Sequence, residues 1–316
     1  MPCGCAYRSD GRVVRRWVSS RRKGWGIELT YTDIGNYGQD LIGHLLCAFM
    51  VLVTSPLRRT TMTTENAKSR VRLVGPKGQF PQASLVPPPS SGYVLLALEV
   101  DRRPWFGYRL ESRLKKDTIE RLNNTANDLK RRSDVVDVNV FKTSLIPFGR
   151  GSFLDDRPGV QIARYDVVMI VEMLTKESSE SLINDADFLK LSEVLQKTSR
   201  LSKVITAESQ RSLGPVDHGR DGVFLLNWFY ADDLQQNLDI WEYTAGWFQQ
   251  ETGLDNSVVM VPNEYGTDHT IINHCRWDKL IDFIPSFVFK KSFKTFVLDN
   301  FKANNTAAIP ILYRLA

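Results

Sequence analysis

The chain has 316 residues, 42% hydrophobic, 10% aromatic and 24% charged, with a formal net charge of +5. These proportions belong to globular proteins and exclude collagen-like, disulfide-scaffold and wholly disordered classes. Four cysteines, Cys3, Cys5, Cys47 and Cys275, are too few and too scattered to staple a chain of this size, so a reduced, cytoplasmic setting is expected. Cys3 and Cys5 combined with His44 and Cys47 match no compact zinc-loop spacing, and no metal site is expected.

The charge is uneven: residues 1–90 hold 13 Lys+Arg against 5 Asp+Glu, leaving 28 against 31 in the remainder. Arg12, Arg15, Arg16, Arg21, Arg22 and Lys23, with Trp17 and Trp25 among them, have the composition of a single-strand nucleic-acid tracker. A solvated, unstructured arm is the simpler reading, and nucleic acid is not expected as a partner. The apolar stretch from Leu45 to Val53 is about half the length of a membrane-spanning helix, and no A-x-A-like cleavage site follows it. Met62 opens a polar start, Met-Thr-Thr-Glu-Asn, so residues 1–61 are expected to lie outside the folded unit. Pro76, Pro81, Pro87, Pro88 and Pro89 then favour extended chain and deny donors to any ladder. Residues 1–91 thus read as a largely unstructured extension and linker.

Beyond the linker the pattern repeats. The first pass is a strand at Tyr93 to Val100, a helix from about Asp117 to Arg132 with Ile119, Leu122, Ala126 and Leu129 on one face, and strands at Val135 to Ile146 and Arg164 to Leu174. A single helix over Ser178 to Lys197 and a strand at Ser202 to Arg211 close it. The second pass begins with a strand at Val223 to Tyr230, then Asp232 or Asp233 as N-cap of a helix carrying Leu234, Leu238, Trp241, Ala245 and Phe248, ended by Gly253. Strands at Ser257 to Val261 and Thr270 to Trp277 follow. Asp278 is expected to cap a long helical stretch interrupted at Pro285 and presenting Phe289, Phe293, Phe296 and Val297. The last strand is Ile309 to Arg314.

Each pass has the order βαββαβ, giving units at 92–212 and 221–316. A four-stranded antiparallel sheet with both helices on one face leaves the other face bare. Ser257 to Val261 and Val223 to Tyr230 are apolar on both faces, so two such sheets in one chain can cover each other. The expected class is α+β: two tandem ferredoxin-like units forming an α/β barrel, with a poorly structured N-terminal extension. The duplication, and the run Ile271-Ile272-Asn273-His274-Cys275-Arg276-Trp277 leading from a strand into a capped helix, resembles the dimeric α/β barrel superfamily, nearest its antibiotic-biosynthesis monooxygenase group. The resemblance implies a small oxygenase acting on polycyclic phenols without metal, flavin or other cofactor. It equally admits a haem-binding relative or a non-catalytic barrel used for ligand carriage or assembly. Haem is disfavoured because the helical stretch after Trp277 holds no histidine.

Asn273 and Trp277 match the asparagine and tryptophan that cofactor-free members carry at this strand's end, which implies a catalytic role for both. Four apart on a strand, they share a face with Cys275, where an amide donor and an indole wall suit a phenolic substrate. The bland alternative is that Asn273 satisfies the backbone and Trp277 packs on the next helix. His274 and Arg276 point to the opposite face as candidate substrate-binding residues, and Asn227 projects into the same pocket as one of the two sets. The expected partners are a small aromatic molecule and, as an admissible assembly, a second copy of the chain. No membrane partner is expected. Phe148 to Ser152 lacks the lysine of a phosphate loop, the arginine-aromatic run from Asp101 to Arg109 reads as a loop insertion, and Lys290, Lys291 and Lys294 read as a solvated helix side.

Overall fold

The computed structural model describes residues 71–101, 110–147, 152–264 and 269–316. It also describes two short antiparallel strands, Ala6–Tyr7 and Val13–Val14, in a separate unit spanning residues 1–40. The basic segment, the Leu45 to Val53 stretch, Cys3, Cys5, Cys47 and most of the loops at 101–109 and 148–152 lie outside the described residues. Among the described residues, no helix is long and apolar enough to cross a membrane.

Eight strands build the domain: β1 Gly92–Glu99, β2 Val135–Leu145, β3 Val167–Met173, β4 Leu201–Gly214, β5 Val223–Ala231, β6 Ser257–Pro262, β7 Ile271–Trp277 and β8 Thr306–Leu315. They close in the order β8-β2-β3-β1-β4-β6-β7-β5, every pair antiparallel. Each half runs in the order second, third, first, fourth strand, so the two passes share one topology. The fourth strand of each half pairs with the second strand of the other, which leaves no free sheet edge.

Period-two alternation then sorts the side chains. Tyr93, Leu95 and Ala97 of β1, Phe224, Leu226 and Trp228 of β5 and Ile309, Ile311 and Tyr313 of β8 fill the barrel interior. Val94, Leu96 and Leu98 meet the first-half helices α1 Arg113–Leu129, α2 Lys176–Ile183 and α3 Ala186–Thr198. Leu225 and Phe229 meet α4 Leu234–Thr252 and the segment after β7. The mutual covering of the two sheets explains why β1 is buried at every position.

Local chemistry sets the helix ends. Ser112 caps α1, its Oγ accepting from Lys115 N at 3.0 Å, so the helix begins at Arg113, four residues ahead of the expected start. Asp233 is the α4 cap, accepting from Gln236 N at 2.6 Å, and Gly253 ends that helix at φ +66°. Asp232 instead pairs with Arg157 at 2.9 Å.

Three expectations are corrected. The single helix over Ser178 to Lys197 is two, because the Asp185 carboxylate takes the N–H groups of Asp187 and Phe188 and starts a new helix. Asp278 caps nothing and binds Arg276 at 2.7 Å. The segment after it is a 3-10 turn Leu280–Asp282, α5 Ile284–Phe289, a π-helix Phe293–Leu298 and α6 Asp299–Ala303.

The third correction concerns residues 71–91, which form an ordered strap along the second-half helices. Arg72 and Val74 exchange backbone hydrogen bonds with the buried carboxamides of Asn304 and Asn300. Phe80 meets Phe296 at 4.6 Å, Ser84 N donates to Gln249, and Val86 bridges to Ser212. Prolines exclude most of the strap from a ladder, but the N–H groups of Arg72, Val74 and Ser84 find side-chain acceptors and that of Val86 finds the Ser212 carbonyl.

Candidate functional site

β7 carries alternate residues to two different chambers. Asn273, Cys275 and Trp277 face the helices, whereas His274 and Arg276 face the barrel interior. Both sets are buried. Asn227 lies directly across from Asn273 in the β5–β7 register and joins the helix-side set.

The helix-side cavity, walled by Trp241, Phe248, Phe301 and Trp277, has a volume of about 30 Å³. That is space for one or two waters, and the expected room for a polycyclic ligand is absent because these four aromatics fill it. Ser257 Oγ donates to Asn273 Oδ1 at 2.5 Å. Asn273 Nδ2 has only a 4.0 Å contact to Cys275 Sγ, leaving its donor capacity largely unused. Asn227 Oδ1 is buried with no hydrogen-bond partner, an acceptor whose desolvation is uncompensated. The Trp277 indole N–H donates to Thr252 Oγ1 at 3.2 Å, and its ring lies 4.4 Å from that of Phe283. Trp277 is therefore a wall, with its donor committed to the end of α4. Burial pushes the Cys275 thiol far above its ordinary range, so the one titratable residue lining this cavity is neutral. The lining holds no imidazole, and neither its volume nor its donors fit haem.

The second cavity opens at one end of the barrel and has a volume of about 260 Å³. His274 lines it. Arg276 does not: it pairs with Asp278, donates to the Asp221 carbonyl and lies 5.9 Å over Phe224. Sequence reasoning passed over the residues that meet His274 here. His218, on the connection between the two halves, places Nε2 at 2.9 Å from His274 Nε2 and Nδ1 at 3.0 Å from Asp137 Oδ2. His274 Nδ1 lies 3.2 Å from the Leu225 carbonyl and must donate to it, so its Nε2 accepts from His218. His218 thereby bridges Asp137 and His274 through its two ring nitrogens. Burial, then the positive His218, push the His274 imidazole down to about 3, keeping it neutral. Burial opposes ionisation of Asp137, but hydrogen bonds from His218 and Asn139 and the His218 charge hold its carboxyl at about 2. The signal for this cluster was Asp137 and Asn139 alternating with Val138 and Val140 on β2, polar residues on an inward row.

The fold is a closed α+β barrel of two ferredoxin-like halves, both in one polypeptide. No family model matches the chain, and no curated protein matches it in sequence. Among solved structures, an anthrone oxidase-like protein superposes with a TM-score of 0.50 at 10% identity, over 72% of this chain and 92% of its own. A candidate monooxygenase from Fusobacterium nucleatum gives 0.48 at 8% identity, over 72% and 93%. Another from Lactobacillus acidophilus gives 0.41 at 9%, over the same shares. At these identities the likeness is one of fold, and the chemistry has to be argued from this chain's own residues.

Proposed function

We propose that the chain is a monooxygenase-type enzyme that oxidises an aromatic phenol with O₂ and no cofactor, at the helix-side pocket of its second half. The observation that supports this most is the facing pair Asn227 and Asn273, one with an unpartnered buried acceptor and the other with a nearly unused donor, in a dry, aromatic-walled pocket. Asn273 Nδ2 donates to the phenolate oxygen, Asn227 Oδ1 accepts from a second hydroxyl, and Trp277 forms the flat wall. The phenolate passes electrons to O₂, one oxygen atom replaces the hydrogen on an aromatic ring carbon to form the new carbonyl, and the other leaves as water with that ring hydrogen and the proton of the phenol. The neutral Cys275 supplies no base, so the phenol must arrive ionised. Entry requires Trp241, Phe248 or Phe301 to move aside, which sets the substrate's size.

The test is turnover of tricyclic and single-ring dihydroxyarenes under ¹⁸O₂, read by mass spectrometry. Asn273→Ala should lower kcat by about a hundredfold to a thousandfold, the range for removing one donor to a developing oxyanion. Trp277→Phe should mainly raise KM by removing part of the wall. Two observations favour a non-catalytic carrier barrel instead: the resting cavity is small and Trp277 already has its partner. If no ¹⁸O appears in any product and Asn273→Ala merely destabilises the fold, that reading replaces the enzyme.

A further inference from the structure

We infer that the barrel-mouth cavity is a second small-molecule site, separate from the helix-side pocket, and that it takes a primary ammonium carried on an apolar body of about one ring. The size is suitable: an apolar cavity of roughly 150 Å³ accommodates benzene, and this one has about 260 Å³. One side of its wall is apolar, formed by Ile170, Val258 and Met260 of the barrel and by Val86 and Pro87 of the strap, while Asp137, Glu172, His218 and His274 line the rest.

The charge pattern selects the ligand's sign. Asp137 and Glu172 are directly opposite each other on β2 and β3, a like-charge pairing that costs stability unless something offsets it. Asp137 is offset by His218, with Lys130 at 3.9 Å on the rim. Among the described residues, Glu172 has no cation within ion-pair range. The hydroxyls of Ser91 and Tyr93 donate to its Oε1 at 2.7 and 3.2 Å, holding the carboxylate in one orientation and leaving Oε2 to the cavity. Beside this wall, Ser209 on β4 is nine-tenths buried opposite Met260, and its hydroxyl has no partner. A fixed carboxylate without a counter-ion, facing a ring-sized apolar chamber, is complementary to an ammonium on a short apolar arm and repels a carboxylate ligand.

The test is calorimetric titration of the full chain with 2-phenylethylammonium, with 2-phenylethanol as the neutral analogue and phenylacetate as the anion. The ammonium should bind about tenfold more tightly than the alcohol, as one hydrogen bond to a charged group implies, and the anion should not bind. Glu172→Gln retains an oxygen for Ser91 and Tyr93 and should erase the ammonium preference. Met260→Trp should abolish binding of both by filling the chamber, which keeps a readout should Glu172→Gln fold poorly. Asn273→Ala should leave ammonium binding unchanged, so failure here is distinguishable from failure of the proposed oxidation. Equal binding of ammonium and alcohol, no binding of either, or a preference that survives Glu172→Gln would overturn the inference.

Discussion

Gly246→Ala tests the docking of the strap with two effects of opposite sign. Gly246 lies inside α4, and replacing a helix-interior glycine with alanine normally stabilises by about 1 kcal/mol. Here the new methyl would collide with the Pro81 carbonyl oxygen, with Pro81 C at 3.0 Å and Ala83 N at 3.4 Å, so backbone has to move. What that movement disrupts is countable. The Ser84–Gln249 hydrogen bond contributes about 1 kcal/mol, and the Phe80–Phe296 pair about 0.5–1.5 kcal/mol beyond its buried area. The buried Ala83 adds a little more. Displacement therefore costs roughly 2–3 kcal/mol against a gain of about 1, and the net loss of about 1–2 kcal/mol should lower Tm by roughly 2–8 °C. Thermal denaturation measures the loss, and limited proteolysis should find new cleavage within residues 75–92. A variant with a raised Tm and an unchanged digestion pattern would refute the close approach.

Acidification should destabilise the fold through His274: an unfolded histidine takes up its proton near 6.5, while the buried one waits until about 3. Stability should thus fall as pH drops through that window, by up to about 1.4 kcal/mol per unit. His274→Gln keeps an acceptor for His218 and a donor for Leu225, and should flatten the slope measured by denaturant titration. Asp137 acts in the same direction lower down, its contribution being present above pH 3.8 and lost as pH falls towards about 2. Lys115→Met should cost about 3–5 kcal/mol in chemical denaturation, because it strands Asp166, fully buried 3.2 Å from the lysine and already pushed up by burial. A loss under about 1 kcal/mol would show the pair to be dispensable. For the proposed oxidation, kcat/KM should track the substrate's own phenol pKa across a substituted series, since the pocket lining offers no base. A profile fixed at one pH regardless of substituent would implicate a protein group instead.

The tandem barrel was legible because both sheet faces are apolar: a strand buried on each side needs a second layer, and the other half of the same chain supplies it. Helix breaks were less legible. Leu182, Ile183, Ala186 and Leu189 form one apolar face whether or not Asp185 starts a new helix, so periodicity could not reveal the break. The strap was misread for a related reason. Proline-rich extended chain has the same composition whether free or docked, and the groups that hold it, Asn300, Asn304 and Gln249, lie more than 160 residues away in sequence.

For the site, alternation along β7 correctly separated Asn273 and Trp277 from His274 and Arg276, because a period of two is a property of the strand alone. What alternation cannot supply is the other side of each contact. His218 sits in a loop whose residues look like a connection, and only the closure of β8 on β2 and of β4 on β6 brings that loop over Asp137 and His274. The same logic makes the two chambers separable by experiment. Asn273 and His274 are adjacent in sequence, yet their side chains lie on opposite faces of one strand and share no hydrogen-bond partner. Substitutions at the two should therefore act on different observables, oxidation for Asn273 and acid stability for His274. In the double variant their stability effects should add to within about 0.5 kcal/mol. A large coupling between them would mean that the strand shifts as a unit and that the two chambers communicate through its register.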